Sequence, residues 1–312
     1  MNNKNKFEFT RRRFLQSVVG MATASLFWPD MLAAQEFKVI KKAIPKSGEL
    51  LPVIGMGTSR TFDVGDDTEM RAQLAKVLQS FFDLGGALID SSPMYGSAEQ
   101  VTGDLLKDIN NSDALFAATK VWTWGKQAGI EQMQRSSQRM GVKVFDLMQI
   151  HNLRDWRVHL ATLKQWKAEG KVRYIGITTS HGRFHDELEV ILENEPFDFV
   201  QFSYNIDNRV VEQRLLPIAQ ERGIAVLVNR PFARGELFQK TKGKALPAWA
   251  SEFDCQSWGQ FFLKFVVSHP AVTCAIPATS KPRHMLDNMG AGFGRLPDAT
   301  MRKRMIDFYA SL

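Results

Sequence analysis

This 312-residue sequence predicts a single (β/α)8 TIM barrel, preceded by a short N-terminal hairpin and an export leader. Three observations predict it. Between residues 53 and 289, short apolar runs alternate with amphipathic stretches eight times, at intervals of roughly 25 to 45 residues. That is the rhythm of parallel strands joined by helical crossovers. The repeating body is about 270 residues long, near the usual size of such a barrel. The first turn reads Gly55-Met56-Gly57-Thr58-Ser59-Arg60. It lacks the third glycine and the helix start of the G-x-G-x-x-G turn that marks an open doubly wound sheet.

Residues 1–34 are set apart from the fold as a signal segment, and 35–312 form one domain with no internal linker. Thr10-Arg11-Arg12-Arg13-Phe14-Leu15-Gln16 resembles a twin-arginine export signal. The apolar run that follows, 14–28, is diluted by Gln16, Ser17, Gly20, Thr23 and Ser25 and stopped by Pro29. It falls short of the about 20 apolar residues that a membrane span needs. Leu32-Ala33-Ala34 offers a cleavage site after Ala34. The resemblance implies a protein that folds in the bacterial cytoplasm, crosses already folded through the twin-arginine export machinery, and works in the periplasm. That route suits proteins that acquire a cofactor before export. The other reading of this segment is a disordered basic tail with a chance apolar stretch.

Hydrophobic residues make up 44% and charged residues 23% of the chain, and 22 Phe add to the material for a large core. Of the net charge of +7, +3 lies in the leader, where Lys4, Lys6, Arg11, Arg12 and Arg13 face Glu8 and Asp30. The rest is spread without a cluster, which argues for an ordinary solvated surface and no nucleic-acid partner. Cys255 and Cys274 are the two cysteines. An exported protein can bridge such a pair. Cys274 sits in an apolar run, however, and folding in a reducing compartment points to two buried free thiols. No Cys/His spacing suggests a metal site.

Taken in order, 39–51 reads as a hairpin turning at Lys46-Ser47-Gly48-Glu49, and 53–57 as the first barrel strand. Helix 67–84 places Leu74, Val77, Leu78, Phe81 and Phe82 on one face. Strand 87–90 and helix 97–107 follow, then strand 115–120 with helix 126–140, and strand 144–150 with helix 155–168. The second half continues with strand 172–178, helix 184–192, strand 199–202, helix 210–221 and strand 224–228. An irregular segment, 229–252, precedes helix 256–268, strand 272–276 and helices 282–289 and 299–308.

In a parallel barrel the ends of the strands share one face, and functional groups belong there. Asp90 ends the second strand, Lys120 the third and His151 the fourth, and Tyr95 sits in the loop after the second. A carboxylate at the end of an apolar strand is costly to bury alone, so Asp90 needs a cation, and Lys120 supplies one. The same ammonium favours the phenolate of Tyr95 and is expected to lower its pKa. A tyrosine so placed can protonate a carbonyl oxygen, and His151 can hold that oxygen by a hydrogen bond. Such a site polarises a carbonyl and requires a hydride donor that side chains cannot supply.

With these residues in order on successive strands, the chain resembles the aldo-keto reductase family. The similarity runs from Gly55-Met56-Gly57-Thr58 to Ile276-Pro277-Ala278-Thr279-Ser280. It implies a nicotinamide coenzyme, NADP(H) with NAD(H) as the alternative, and reversible interconversion of a small-molecule carbonyl substrate with its alcohol. Tyr95 would be the general acid/base, tuned by Lys120 and Asp90, with His151 orienting substrate. Coenzyme contacts implied by the resemblance are Gly57, Thr58, Thr178, Gln201, Asn229, Arg230, Pro231, Gly235, Leu237, Thr279, Ser280, Lys281 and Asn288.

The chain also departs from the family pattern. A Ser-Asn pair reads Thr178-Thr179 here, and Asn229-Arg230-Pro231-Phe232 replaces a Tyr-Ser-Pro-Leu whose aromatic ring stacks on nicotinamide. The counterparts of a Lys and an Arg that hold the 2′-phosphate are Ala278 and His284, with Lys281 and Arg283 as substitutes. These departures leave a second reading, a coenzyme-binding redox sensor or interaction subunit on the same barrel. Trp122 and Trp124 are expected to line the substrate pocket. Arg154, with Arg230, is expected to favour acidic or phosphorylated substrates. An enzyme in the periplasm would need its coenzyme recharged by its substrates or by an unidentified redox partner.

Overall fold

The computed structural model describes residues 38–312, and the twin-arginine segment lies outside them. Two short strands, β1 (Lys41–Ala43) and β2 (Leu50–Pro52), pair antiparallel as the expected hairpin. Lys42 of β1 donates to the carbonyls of Val267, His269 and Val272 at 2.7–2.8 Å, tying the hairpin to the far side of the chain. Burial lowers the pKa of this lysine to about 8.

Eight parallel strands follow in sequence order: β3 (Met56–Gly57), β4 (Leu88–Asp90), β5 (Phe116–Val121), β6 (Phe145–Ile150), β7 (Val172–Thr178), β8 (Phe199–Ser203), β9 (Ala225–Asn229) and β10 (Val272–Ala275). The barrel closes between its first and last strands, where Gly55 and Gly57 donate to the carbonyls of Ala275 and Pro277 and Ala275 donates back to Val53. Gly55 is needed at that seam, because a Cβ there would lie 2.9 Å from the carbonyl of Leu88 and 3.0 Å from the sulfur of Cys274. Only two residues of the expected strand 53–57 keep a regular ladder, since this first strand is shared between two partners at the seam.

The helices are α1 (Thr68–Asp83), α2 (Ala98–Leu106), α3 (Lys126–Met140), α4 (Trp156–Ala168), α5 (His185–Asn194), α6 (Leu215–Glu221), α7 (Glu236–Lys240), α8 (Trp258–Val267), α9 (Pro282–Gly290) and α10 (Ala299–Ser311). Helix α1 is capped by Asp67, whose carboxylate accepts from the amide of Met70, and it buries the five residues that helical spacing selects. The expected helix 210–221 is broken into a 3-10 turn, Val210–Glu212, and α6. Pro217 falls in the first turn of α6, where its missing N–H costs nothing. The segment read as irregular contains α7 and two 3-10 turns, Ala233–Gly235 and Ala248–Phe253.

Two cores result. One lies between helices and strands. The other fills the barrel with alternate strand residues, Leu88, Phe116, Ala118, Leu147, Phe199 and Leu227 among them, and Ile44 and Leu51 of the hairpin belong to it. Cys255 and Cys274 are both free and buried, as expected.

Candidate active site

Alternation along the strands decides which side chains meet. Asp90 is two residues beyond Leu88, Lys120 two beyond Ala118, Gln149 two beyond Leu147, and Gln201 two beyond Phe199. The lower member of each pair belongs to the barrel interior. The upper members therefore form a polar layer above it, and all four are buried.

Within that layer Lys120 Nζ donates to Asp90 Oδ2 at 2.5 Å and to the Ser91 carbonyl at 2.6 Å. Asp90 Oδ1 accepts from Gln149 Nε2 at 2.8 Å and Gln201 Nε2 at 3.0 Å. Gln201 also donates to Gln149 Oε1, and its own oxygen accepts from Asn229 Nδ2 at 3.2 Å. Gly176 opposite makes room for this network, since a Cβ there would lie 2.9 Å from Gln149 Cγ. Two charges and three amides are thus bonded to one another at the floor of the site.

Tyr95 is carried by the turn after β4, its amide donating to the Ser92 carbonyl and its carbonyl accepting from Ala98 at the start of α2. Lys120 Nζ lies 5.1 Å from the centroid of its ring. The His151 ring meets the Tyr95 ring edge-to-face at 5.9 Å, and His151 Nδ1 is 3.0 Å from Ser92 Oγ. With Nδ1 engaged, Nε2 is the ring nitrogen left for a ligand.

Burial pushes the Tyr95 phenol above its ordinary pKa of 10.0, and the downward pull of Lys120 does not offset it. This corrects the expectation from sequence, in which the ammonium alone was weighed. Burial also opposes the charge on Lys120, but Asp90 and Tyr95 outweigh it and raise the pKa above 10.5. His151 is held well below 6.5 by burial and then by the Lys120 and Arg154 charges, so it is neutral at neutral pH.

Tyr95, His151 and Asp90 line a cleft of about 820 Å³, in the range of small-molecule sites. Of the residues expected at the coenzyme, Gly57, Thr58, Thr178, Gln201, Asn229, Arg230, Pro231, Gly235, Thr279 and Asn288 line the same cleft. Leu237 is in the core, Ser280 presents its carbonyl to Gln73, and Lys281 is an exposed residue at the start of α9, so these three stand off the cleft wall. Trp122, Trp124 and Arg154 form a separate stack, with the Arg154 guanidinium 4.3 Å from one indole and 5.4 Å from the other. The Trp122 ring lies 6.4 Å from that of His151, and Trp124 is largely exposed. Sequence reasoning passed over Gln149, although its position two residues before His151 on an inward-facing strand would have revealed it. It also passed over Ser92, His181 and Arg234, which lie in loops that no periodicity reports.

The model of the aldo/keto reductase family matches residues 53–304. The chain belongs to the aldo/keto reductase family. A methylglyoxal reductase of Escherichia coli is 28% identical over 256 residues, covering 80% of this chain and 88% of its own. Two solved aldo/keto reductases of Klebsiella pneumoniae, one with NADP and acetate and one with NADPH, are 21% and 22% identical. Their TM-scores are 0.70 and 0.72, and each match covers 87% of this chain and 96% of the other. These two likenesses bear on the family fold.

Removing one partner of the buried pair should be costly, because the other is left charged without compensation. Asp90→Asn is expected to lower the unfolding free energy by about 3–5 kcal/mol in urea denaturation. Adding Lys120→Met should recover part of that loss. A double variant no more stable than the single one would show that the two charges are not coupled.

Proposed function

We propose that this protein is an NADP(H)-dependent oxidoreductase that interconverts small aldehydes or ketones and their alcohols, with Tyr95 as general acid. The observation that carries this reading is the Tyr95 phenol on the cleft wall, with the buried Lys120 ammonium 5.1 Å from its ring and the His151 imidazole edge-to-face with it at 5.9 Å. The bound coenzyme supplies the hydride. Tyr95 gives its proton to the carbonyl oxygen as charge develops there, and Lys120 stabilises the phenolate left behind. Asp90, fixed by Gln149 and Gln201, keeps Lys120 in place. His151 presents Nε2 to the same oxygen and orients it.

The residues at hand suit a nicotinamide coenzyme. The hydroxyl of Thr179 is buried on the cleft wall and has no hydrogen-bond partner among the described residues, which suits a carboxamide there. Thr279 and His284 line the cleft near the start of α9, whose first amides suit a phosphate, and Asn288 of the same helix lines it too. NADP(H) is preferred to NAD(H) because the solved relatives hold NADP or NADPH. One observation favours the redox-sensor reading: Gln201, the residue expected to grip the carboxamide, is already bonded to Asp90, Gln149 and Asn229.

With NADPH and a panel of small aldehydes, Tyr95→Phe is expected to lower kcat about 10²- to 10⁴-fold while coenzyme affinity is held. Full activity in that variant would remove Tyr95 from the role. Coenzyme binding with no turnover in the unaltered protein would favour the sensor.

We also propose export of the folded, coenzyme-loaded protein to the periplasm, on the strength of the Thr10–Gln16 sequence. Changing Arg11 and Arg12 to Lys should leave the protein in the cytoplasmic fraction. An unchanged distribution would refute this route.

A further inference from the structure

Tyr95 and His151 reach the cleft from different strands, and one serine bonds to both residues. Ser92 opens the turn that carries Tyr95, with Pro93 second, Met94 third and Tyr95 fourth. Its carbonyl accepts from the Tyr95 amide at 3.0 Å, which closes the turn. Its hydroxyl oxygen accepts from the Met94 amide at 3.4 Å, the local bond that favours serine at the head of a turn. The same oxygen lies 3.0 Å from Nδ1 of His151, just past the end of β6. Ser92 is fully buried and stands behind the cleft wall, whereas Tyr95 and His151 are on it. Any effect of this hydroxyl on the reaction therefore passes through its neighbours.

A neutral imidazole carries one proton, on one of its two nitrogens. Two arrangements fit the 3.0 Å contact. In the first, Nδ1–H donates to Ser92, so the serine oxygen accepts twice, from Met94 and from His151. Its own proton is then left without an acceptor, because among the described residues Oγ has no other partner. A buried O–H with nothing to donate to is costly. In the second, the serine O–H donates to Nδ1, and every group is satisfied: the Met94 amide has its oxygen and the hydroxyl proton has its nitrogen. The ring proton is then on Nε2. Among the described residues Nε2 bonds to none, and His151 lines the cleft. The difference decides what the ring can do. A carbonyl oxygen that gains charge offers only lone pairs, so it is held by an N–H and repelled by a bare nitrogen.

We propose that Ser92 is a positioning residue that fixes His151 as the Nε2–H tautomer and so makes the imidazole a hydrogen-bond donor to the carbonyl oxygen beside Tyr95. The use of that donor rests on the oxidoreductase reading; the tautomer itself does not. Ser92 transfers no proton. Its hydroxyl decides which ring nitrogen of His151 holds one, and its carbonyl fixes the turn that presents the Tyr95 phenol.

The test is a nitrogen–proton correlation NMR spectrum of the full chain at neutral pH, with its histidine rings isotope-labelled. The chain has six histidines, and the signals lost in His151→Gln identify this ring. Nε2 should show the shift of a protonated nitrogen and Nδ1 that of a bare acceptor. A proton on Nδ1, or an equal mixture of the two forms, overturns the proposal. Ser92→Ala removes the hydroxyl without adding bulk, and in that variant the ring should move to a mixture or to the other tautomer. An unchanged spectrum there overturns the role of Ser92. With NADPH and a small aldehyde, Ser92→Ala should lower kcat about tenfold while NADPH affinity stays within about twofold, and Ser92→Thr, which keeps the hydroxyl, should recover most of the loss. An unchanged kcat in Ser92→Ala overturns the proposal. An Nε2–H ring that responds to Ser92→Ala in a protein that reduces no aldehyde would retain the control of the tautomer and remove the oxidoreductase reading.

Discussion

The polar top of this barrel depends on one buried carboxylate and one buried ammonium held against each other. Asp90 and Lys120 are both buried, 2.5 Å apart, and each is bonded to further partners. Buried ion pairs of this kind contribute little net stability compared with apolar residues of the same volume, because desolvation offsets their attraction. Stability therefore explains the pair poorly. What it does provide is a fixed positive charge beside a phenol, in surroundings where a charge acts strongly. The amides of Gln149, Gln201 and Asn229 extend the same network, which draws on five of the eight strands, so the geometry of the tyrosine site is coupled to the register of most of the barrel.

Electrostatics at this site follow from a competition between burial and charge. Burial outweighs the ammonium at Tyr95 and keeps the phenol protonated, whereas at Lys120 the partners outweigh burial and keep the amine charged. At His151 burial and neighbouring cations act together, and the ring is neutral. The three groups are thus set in the protonation states that proton donation to a carbonyl oxygen requires.

Much of this was legible in the sequence because strands carry their own geometry. The two-residue period and the abrupt polar endings at Asp90, Lys120 and His151 were enough to place three side chains on one rim. Helix α1 was readable from its own period, through the apolar stripe of Leu74, Val77, Leu78, Phe81 and Phe82, whereas its cap at Asp67 was not read. The sign of the Tyr95 shift was not readable, because it depends on how tightly the surrounding chain encloses the ring. The hydrogen bonds that bring Arg230 and Arg234 to His181 were hidden too, since they arise from loop backbone at positive φ in residues other than glycine. Trp122, Trp124 and Arg154 illustrate the same limit: their loops are adjacent to the functional rim, yet they stack on one another beside the cleft.

The account makes Tyr95 a proton donor to a carbonyl that a bound nicotinamide reduces. A single-turnover experiment tests that most directly: the protein is mixed with an equal amount of NADPH, then with an excess of a small aldehyde, and the near-ultraviolet absorbance of the reduced coenzyme is followed. The account predicts that the absorbance is lost on adding aldehyde, with alcohol formed in equal amount. Coenzyme that binds but keeps its absorbance with every aldehyde would contradict it.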